Sequence, residues 1–249
     1  MTSDWRVGVV MAKTSREAGP EGGSEEDVEA EVARRTEELR RALARSEALL
    51  QDLDHRAKNN LQTLASLAIL KARRVKDPAA RGALTNMAER IGALSTAHRL
   101  VYTEDGATWF HLRELVTDLA RDLALAIKPG DVELALALAP IALTGEKATP
   151  LGLLLNELLG NAFRHAFPDG RGRLAVSAEV ESDLRIVVED DGIGLAAHRP
   201  AEEGFGKSLI DMLARQLRGT IVWEDVAPGT RAVLVVPLAD GDFKASAPA

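Results

Sequence analysis

Residues 49–73 read LLQDLDHRAKNNLQTLASLAILKAR, inside a run free of helix breakers. No proline falls between 24 and 75, and no glycine between Gly23 and Gly82. Ser24 followed by Asp27 supplies a helix start. Apolar or small residues recur at Val32, Thr36, Leu39, Leu43, Ser46, Leu50, Leu53, Ala57, Leu64 and Leu67, in alternating steps of four and three with Asn60 filling the single gap. That spacing is a heptad seam. Beyond Asn60 the apolar face widens to include Leu61, Ala65, Ala68, Ile69 and Leu70. A narrow seam suits a two-stranded coiled coil and a wide face a four-helix bundle. The spacing therefore predicts one helix over 24–75, beginning as a coiled coil and running into a bundle, and extending about 75 Å at 1.5 Å per residue.

Lys76-Asp77-Pro78 ends that helix, and Pro78 suits the first turn of the next. A second helix is predicted over 78–101, apolar at Ala80, Leu84, Met87, Ile91, Leu94 and Leu100. One helical hairpin buries little core; two copies complete a four-helix bundle. After Thr103-Glu104-Asp105-Gly106 the pattern changes. Helices are expected at 111–127, 150–167 and 207–217, and strands at 132–138, 174–180, 184–190, 220–225 and 231–237. Mixed helices with mostly antiparallel strands predict an α+β layer fold. The expected organisation is a flexible 1–24 with room for a short β segment at 7–11, a helical hairpin over 25–106, an α/β sandwich over 107–240 and a flexible tail over 241–249.

Composition narrows the function. The 249 residues are 46% hydrophobic and 28% charged, ordinary for a globular protein. Cysteine is absent, which excludes a disulfide framework and Cys-ligated metals. None of the five histidines pair at zinc-like spacing. A net charge of −7 argues against nucleic acid as the main partner, and 4% aromatics argues against base-stacking platforms. No apolar run reaches the ~18 residues that a membrane span needs. The first ten residues are too short and polar for a signal peptide, so a cytoplasmic protein is expected.

His55 stands at the heptad position pointing most directly away from the seam. Its helical neighbours are Gln51, Asp52, Lys58 and Asn59, all polar. Such an imidazole is reachable by a bulky partner and acts as a nucleophile if its other ring nitrogen is held by an acceptor. The plain alternative is a solvated surface histidine. His98, on the second helix near the base of the hairpin, is the competing candidate, and its plain reading is a packing or polar structural histidine.

The second half carries another constellation. Along NELLGNAFRH, residues 156–165, the side chains of Glu157, Asn161, Arg164 and His165 share one side of a helix while Leu154, Leu155, Leu158, Leu159 and Ala162 face the core. Carboxylate and amide oxygens on adjacent turns suit Mg²⁺, which bridges nucleotide phosphates. The alternative is a merely polar outer face. The strand over 184–189 ends in Asp190-Asp191-Gly192-Ile193-Gly194. Its glycines let backbone approach a flat ligand, and Asp190 can accept a hydrogen bond from an exocyclic amine such as that of adenine. Gly204, Gly206 and Lys207 open a helix, where bare N–H groups favour phosphate. Gly229-Thr230 follow between two strands. The string AEEGFGKS at 201–208 nears a P-loop but has Ala for the first glycine and follows a loop-like stretch, so a P-loop is rejected.

The octet HRAKNNLQ at 55–62 resembles the phosphoacceptor segment of bacterial sensor histidine kinases, in the subfamily carrying H-R-x-K-N-N-L-Q. Asp77, Ala80-Arg81, Arg90-Ile91 and His98 through Tyr102 resemble that subfamily's second helix, and Ala166-Phe167-Pro168-Asp169-Gly170 fits it too. Residues 150–238 resemble the ATP-binding domain shared by histidine kinases, gyrase-type ATPases and related chaperones, with its motifs in order. The resemblance spans about 45–240. It implies a helical hairpin forming a dimeric four-helix bundle, followed by an α/β-sandwich ATP-binding domain of the Bergerat type. It implies phosphorylation of His55, Mg²⁺ on Asn161, adenine on Asp190, and Gly192, Gly194, Gly204 and Gly206 framing nucleotide and lid. Glu157 stands where gyrase-type relatives carry a catalytic carboxylate and is a second candidate for Mg²⁺.

The sequence departs from the family at Lys207, where many relatives are apolar, and at Arg56, where the commoner kinase class is acidic. Asp54 or Glu157 then supplies the base. The expected function is ATP-dependent autophosphorylation of His55 in a homodimer, with Lys207 or Arg164 offsetting phosphate charge, then transfer to an aspartate of a response regulator receiver domain. A phosphotransfer adaptor that does not use ATP is one alternative; a gyrase-like ATPase or serine kinase is another. With about 24 residues ahead of the helix, either a separate sensor protein supplies the input or the chain is a piece of a longer receptor.

Overall fold

A computed structural model describes residues 25–128, 130–194 and 205–245, with the side chains of 25, 26, 47, 51, 54 and 205 outside that description. The segment at 7–11, Gly204 and the Asp54 side chain therefore lie outside the described residues. The chain divides into two compact units between Leu53 and Asp54.

One helix, α1, runs Glu25–Arg74. In its first unit Arg34, Arg35 and Arg41 pair with glutamates three or four residues away, as helical spacing dictates. Leu39, Leu43, Leu50 and Leu53 of the seam are 60–70% exposed in the single chain.

In the second unit, α2 spans Pro78–Leu100. Asp77 caps it, its Oδ2 accepting from the Ala80 N–H at 2.8 Å, and Pro78 fills the first turn. The Arg81 guanidinium donates to the Val75 carbonyl, serving a carbonyl at the end of α1. Within the single chain α2 packs by its small residues. Its buried residues are Ala88, Ala93, Thr96 and Ala97, whereas Met87 is 54% exposed. The small face rather than the large one is covered, because small side chains let a second helix approach. His98 is exposed, which sets aside the packing reading and leaves that of a polar structural histidine.

A hairpin follows, β1 (Tyr102–Glu104) and β2 (Ala107–His111), turning at Asp105 and Gly106, both with positive φ. Then come α3 (Leu112–Ile127), β3 (Asp131–Leu138), β4 (Ile141–Thr144), a 3₁₀ turn, α4 (Ala148–Asn161) and a π-helical turn (Ala162–Ala166). The chain continues through β5 (Arg171–Val180), β6 (Asp183–Asp190), α5 (Phe205–Gln216), β7 (Thr220–Asp225), β8 (Thr230–Pro237) and β9 (Phe243–Ala245).

Five strands form the main sheet in the order β3-β5-β6-β8-β7, antiparallel except for the parallel pair β3–β5. Alternating residues Leu174, Val176 and Ala178, Leu184, Ile186 and Val188, and Ala232, Leu234 and Val236 are buried in one core with α3, α4 and α5. Ala93 and Ala97 join that core, and a Cβ placed on Gly152 of α4 would lie 3.0 Å from the Ala97 Cβ. Thus α2 packs against α4 through its small residues.

The smaller sheet, β1-β2-β4-β9, was not anticipated. Its last strand occupies part of the expected flexible tail. Asp242 anchors it, accepting from the Ala239 N–H and pairing with Lys147 at 3.1 Å. Those contacts, the backbone N–H foremost, hold its carboxyl below the usual range against the opposing effect of burial.

Candidate functional site

Three elements converge at the candidate nucleotide site: the end of α4, the end of β6 and the start of β8. Antiparallel pairing sets Asp190 directly opposite Thr230. Both are buried. The Asp190 Oδ1 accepts from the Gly192 N–H at 3.0 Å and the Thr230 N–H at 3.3 Å. Two backbone donors fix the carboxylate's orientation and compensate its burial.

The glycines beside it serve the chain's own backbone first. A Cβ on Gly229 (φ +112°) would fall 1.8 Å from the Asp190 carbonyl oxygen, and one on Gly192 would fall 2.2 Å from that of Ala166. The Ile193 N–H donates to the same Ala166 carbonyl at 3.0 Å. The loop after β6 is thereby stitched to the π-helical turn after α4. To the expected close approach of backbone to a flat ligand, this adds a packing role for Gly192. Gly194 (φ +76°) faces the Gly229 carbonyl and Asp225. Asp191 is structural: its Oδ1 accepts from the Arg173 N–H at 2.6 Å, pinning β5.

The polar side of α4 is covered rather than solvated. Glu157 is 3% exposed and accepts a two-pronged hydrogen bond from Arg90 of α2, Nε at 2.8 Å and the terminal nitrogen at 2.9 Å. That bond is the main reason the Arg90 guanidinium is held above its ordinary pKa; burial acts the other way. Arg164 pairs with Glu89 of α2 at 2.6 Å, which makes it a contact to the helical hairpin. Asn161 is half-buried at the end of α4, His165 is exposed on the π turn, and Lys207 is exposed at the start of α5. Gly206 is half-buried with its Cβ direction 3.3 Å from the Glu157 Oε2, so Glu157 lies beside the start of α5.

The donors suit ATP and Mg²⁺. No group of three or more His, Asp or Glu converges on a metal position among the described residues. Mg²⁺ held mainly by phosphates and waters needs only one or two protein oxygens, and Asn161 with Glu157 offers those.

His55 lies on α1, exposed, with Asn59 exposed one turn on. A shallow groove continues past it along the same helix, lined by Asn59, Gln62, Thr63, Ser66 and Leu67. A separate concavity of about 450 Å³ between α3, β3 and Phe163 includes none of the residues just described; donor chemistry, not volume, locates the site. Sequence reasoning missed the part played by Glu89 and Arg90. Arg90 belongs to the subfamily-like string, but nothing in the periodicity of α2 shows what it reaches.

Residues 52–127 match the family model described as "Histidine kinase", and residues 146–240 match "Histidine kinase-, DNA gyrase B-, and HSP90-like ATPase". The chain is 29% identical over 207 residues to the sensor histidine kinase PdtaS of Mycobacterium tuberculosis, covering 80% of this chain and 41% of that protein. It is 30% identical to PdtaS of Mycolicibacterium smegmatis over the same length and coverage. It is 27% identical to blue-light-activated histidine kinase 2 of Erythrobacter litoralis, over 76% of this chain and 57% of that protein. The chain thus spans well under two thirds of the length of these curated relatives. The fold is that of the histidine kinase domain of the Erythrobacter litoralis EL346 blue-light-activated kinase, with a TM-score of 0.57 at 23% identity, covering 72% of this chain and 96% of that one.

Proposed function

We propose that this chain, which belongs to the histidine kinases, phosphorylates its own His55 with ATP and passes the phosphoryl group to an aspartate of a response regulator receiver domain. The observation that carries the reading is the buried Asp190 carboxylate, held by two backbone N–H groups where β6 meets β8. A carboxylate fixed in advance accepts the adenine amine without reorganising. Thr230, Gly192, Gly194, Gly204 and Gly206 frame the nucleotide, and Lys207 and His165 lie where phosphate contacts are expected. Mg²⁺, when bound, neutralises phosphate charge; Asn161 would hold it, with Glu157 as second oxygen donor. Each Glu157 oxygen keeps a lone pair beyond the one Arg90 uses.

Positioning and charge neutralisation supply most of the catalysis in phosphoryl transfer. A ring nitrogen of His55 attacks the γ-phosphorus, the bond from that phosphorus to the bridging oxygen breaks, and ADP leaves with the electron pair. The N–H on the other ring nitrogen, oriented by Asp54 or Asn59, gives its proton to Asp54, Glu157 or water. The groove past His55 gives the receiver a surface on which to dock. The exposed leucines of α1 pair with those of a second copy, making a homodimer built on the 25–106 hairpin with 107–240 as the ATP-binding domain. ATP and receiver domains put this reaction in the cytoplasm. No described helix is long and apolar enough to cross a membrane, and a separate sensor protein or a further part of the same receptor supplies the signal.

Labelled ATP tests the reading. Wild type should acquire acid-labile, base-stable phosphate. His55→Gln should lose the label and keep nucleotide binding, while Asp190→Asn should lose both. Label persisting in His55→Gln would reject the phosphoacceptor.

A further inference from the structure

Two ion pairs join α2 to α4 in crossed order. Adjacent residues of opposite charge on α2, Glu89 and Arg90, meet opposite partners on α4 and its π turn, Arg164 and Glu157. A slip of one residue along α2 would set either Glu89 against Glu157 or Arg90 against Arg164, according to its direction, and would leave the other site without a charged partner, so the contact favours one register. Two glycines make room for it. A Cβ on Gly160 would meet the Arg164 guanidinium at 2.6 Å, and one on Gly206 would approach the Glu157 Oε2 at 3.3 Å. Small residues bring the helices close enough, Ala97 facing Gly152. The Glu157 side chain is 4% exposed against 22% for Arg90, so the guanidinium lies over the carboxylate and is itself the more open of the two.

We propose that Arg90 is a positioning residue for the kinase reaction, fixing the rotamer of Glu157 beside the start of α5 so that the carboxylate's remaining lone pairs face the phosphate end of the site. A two-pronged guanidinium–carboxylate bond fixes a plane as well as a distance, which one ammonium group does not do. The ATP-binding domain thus borrows one of its supports from the helical hairpin. This inference rests on the reading of Glu157 given above.

The test uses the whole chain and follows autophosphorylation rate against nucleotide affinity. Removing the partner that orients a functional group typically costs about 10- to 100-fold in activity. Arg90→Met should lower the maximal rate by that factor and leave the metal-free ADP dissociation constant within about twofold of wild type, since Asp190 and its donors are untouched. Arg90→Lys should recover part of the rate by restoring charge without the fork. Glu157→Gln should be as slow as Arg90→Met, and the double variant no slower than Glu157→Gln, because two residues that act as one unit do not multiply. A normal rate in Arg90→Met, or losses that multiply in the double variant, overturns the proposal. A loss of rate matched by an equal loss of ADP affinity and of melting temperature makes Arg90 merely structural and overturns it too. A normal rate in Glu157→Gln removes the role of Glu157 itself, and Arg90's with it. A failure of the kinase reading would instead appear as label surviving His55→Gln.

Discussion

The first two helices differ in what they leave exposed and what they cover. Along α1 the large residues Leu39, Leu43, Leu50 and Leu53 stand exposed. Along α2 the small residues Ala93 and Ala97 are sealed at 3% and 0% exposure. Large apolar side chains gain most from burial, about 1.5–3 kcal/mol each when fully covered. Left exposed in the single chain, that row is what the proposed homodimer would cover. Small side chains gain little themselves; what they offer is a short distance between backbones. On α2 that distance brings Glu89 and Arg90 onto Arg164 and Glu157. On the homodimer proposed above, the one helix meets a second copy, while the other meets its own neighbour α4.

The largest effect that can break this comparison is overpacking at α2. Ala97→Leu puts three further carbons where Ala97 faces Gly152, and forcing extra carbons into a packed core costs about 1–3 kcal/mol. Thermal or urea unfolding should show a clear fall in the midpoint. An unchanged midpoint would mean that α2 is only loosely laid on α4. The converse holds for α1. Leu43→Asp with Leu50→Asp should leave the melting of the second unit within about 0.5 kcal/mol, as for exposed positions generally. The same double variant should shift sedimentation from dimer towards monomer. A dimer of undiminished strength would remove the seam from the interface.

Much of this was legible in the sequence, and the limits have physical causes. The long helices were readable because heptad spacing and the absence of glycine and proline act locally. The end of β6 was readable because an apolar run stops at Asp190-Asp191-Gly192. By contrast, β4 and β9 have four and three residues, too few for alternation to show. The turn Asp105-Gly106 carried a usable signal, since both residues adopt the positive φ of a two-residue hairpin, but its flanking strands are just as short. Glu157 was placed on the correct side of α4, yet a polar face reads as solvated until something covers it. The covering residues are 67 and 75 positions away, Arg90 for Glu157 and Glu89 for Arg164. On α2 the eye goes to Leu84, Met87 and Ile91, whereas the contact is made by alanines.

The finest test of the contrast is Gly160, because two effects of similar size compete there. Alanine is favoured over glycine in a helix interior by about 0.8–1.0 kcal/mol. The added Cβ would nevertheless fall 2.6 Å from the Arg164 guanidinium, which must then move away from Glu89 and leave a largely buried carboxylate without that partner. If the crossed pairs hold α2 in place, Gly160→Ala should leave stability level or lower it. In a Glu89→Ala background the acceptor is already gone, and the same substitution should there raise stability by up to about 1 kcal/mol. The two backgrounds should therefore give different signs for one methyl group. A full gain in both would mean that Arg164 and Glu89 touch without holding anything, and the contrast between α1 and α2 would reduce to side-chain size alone.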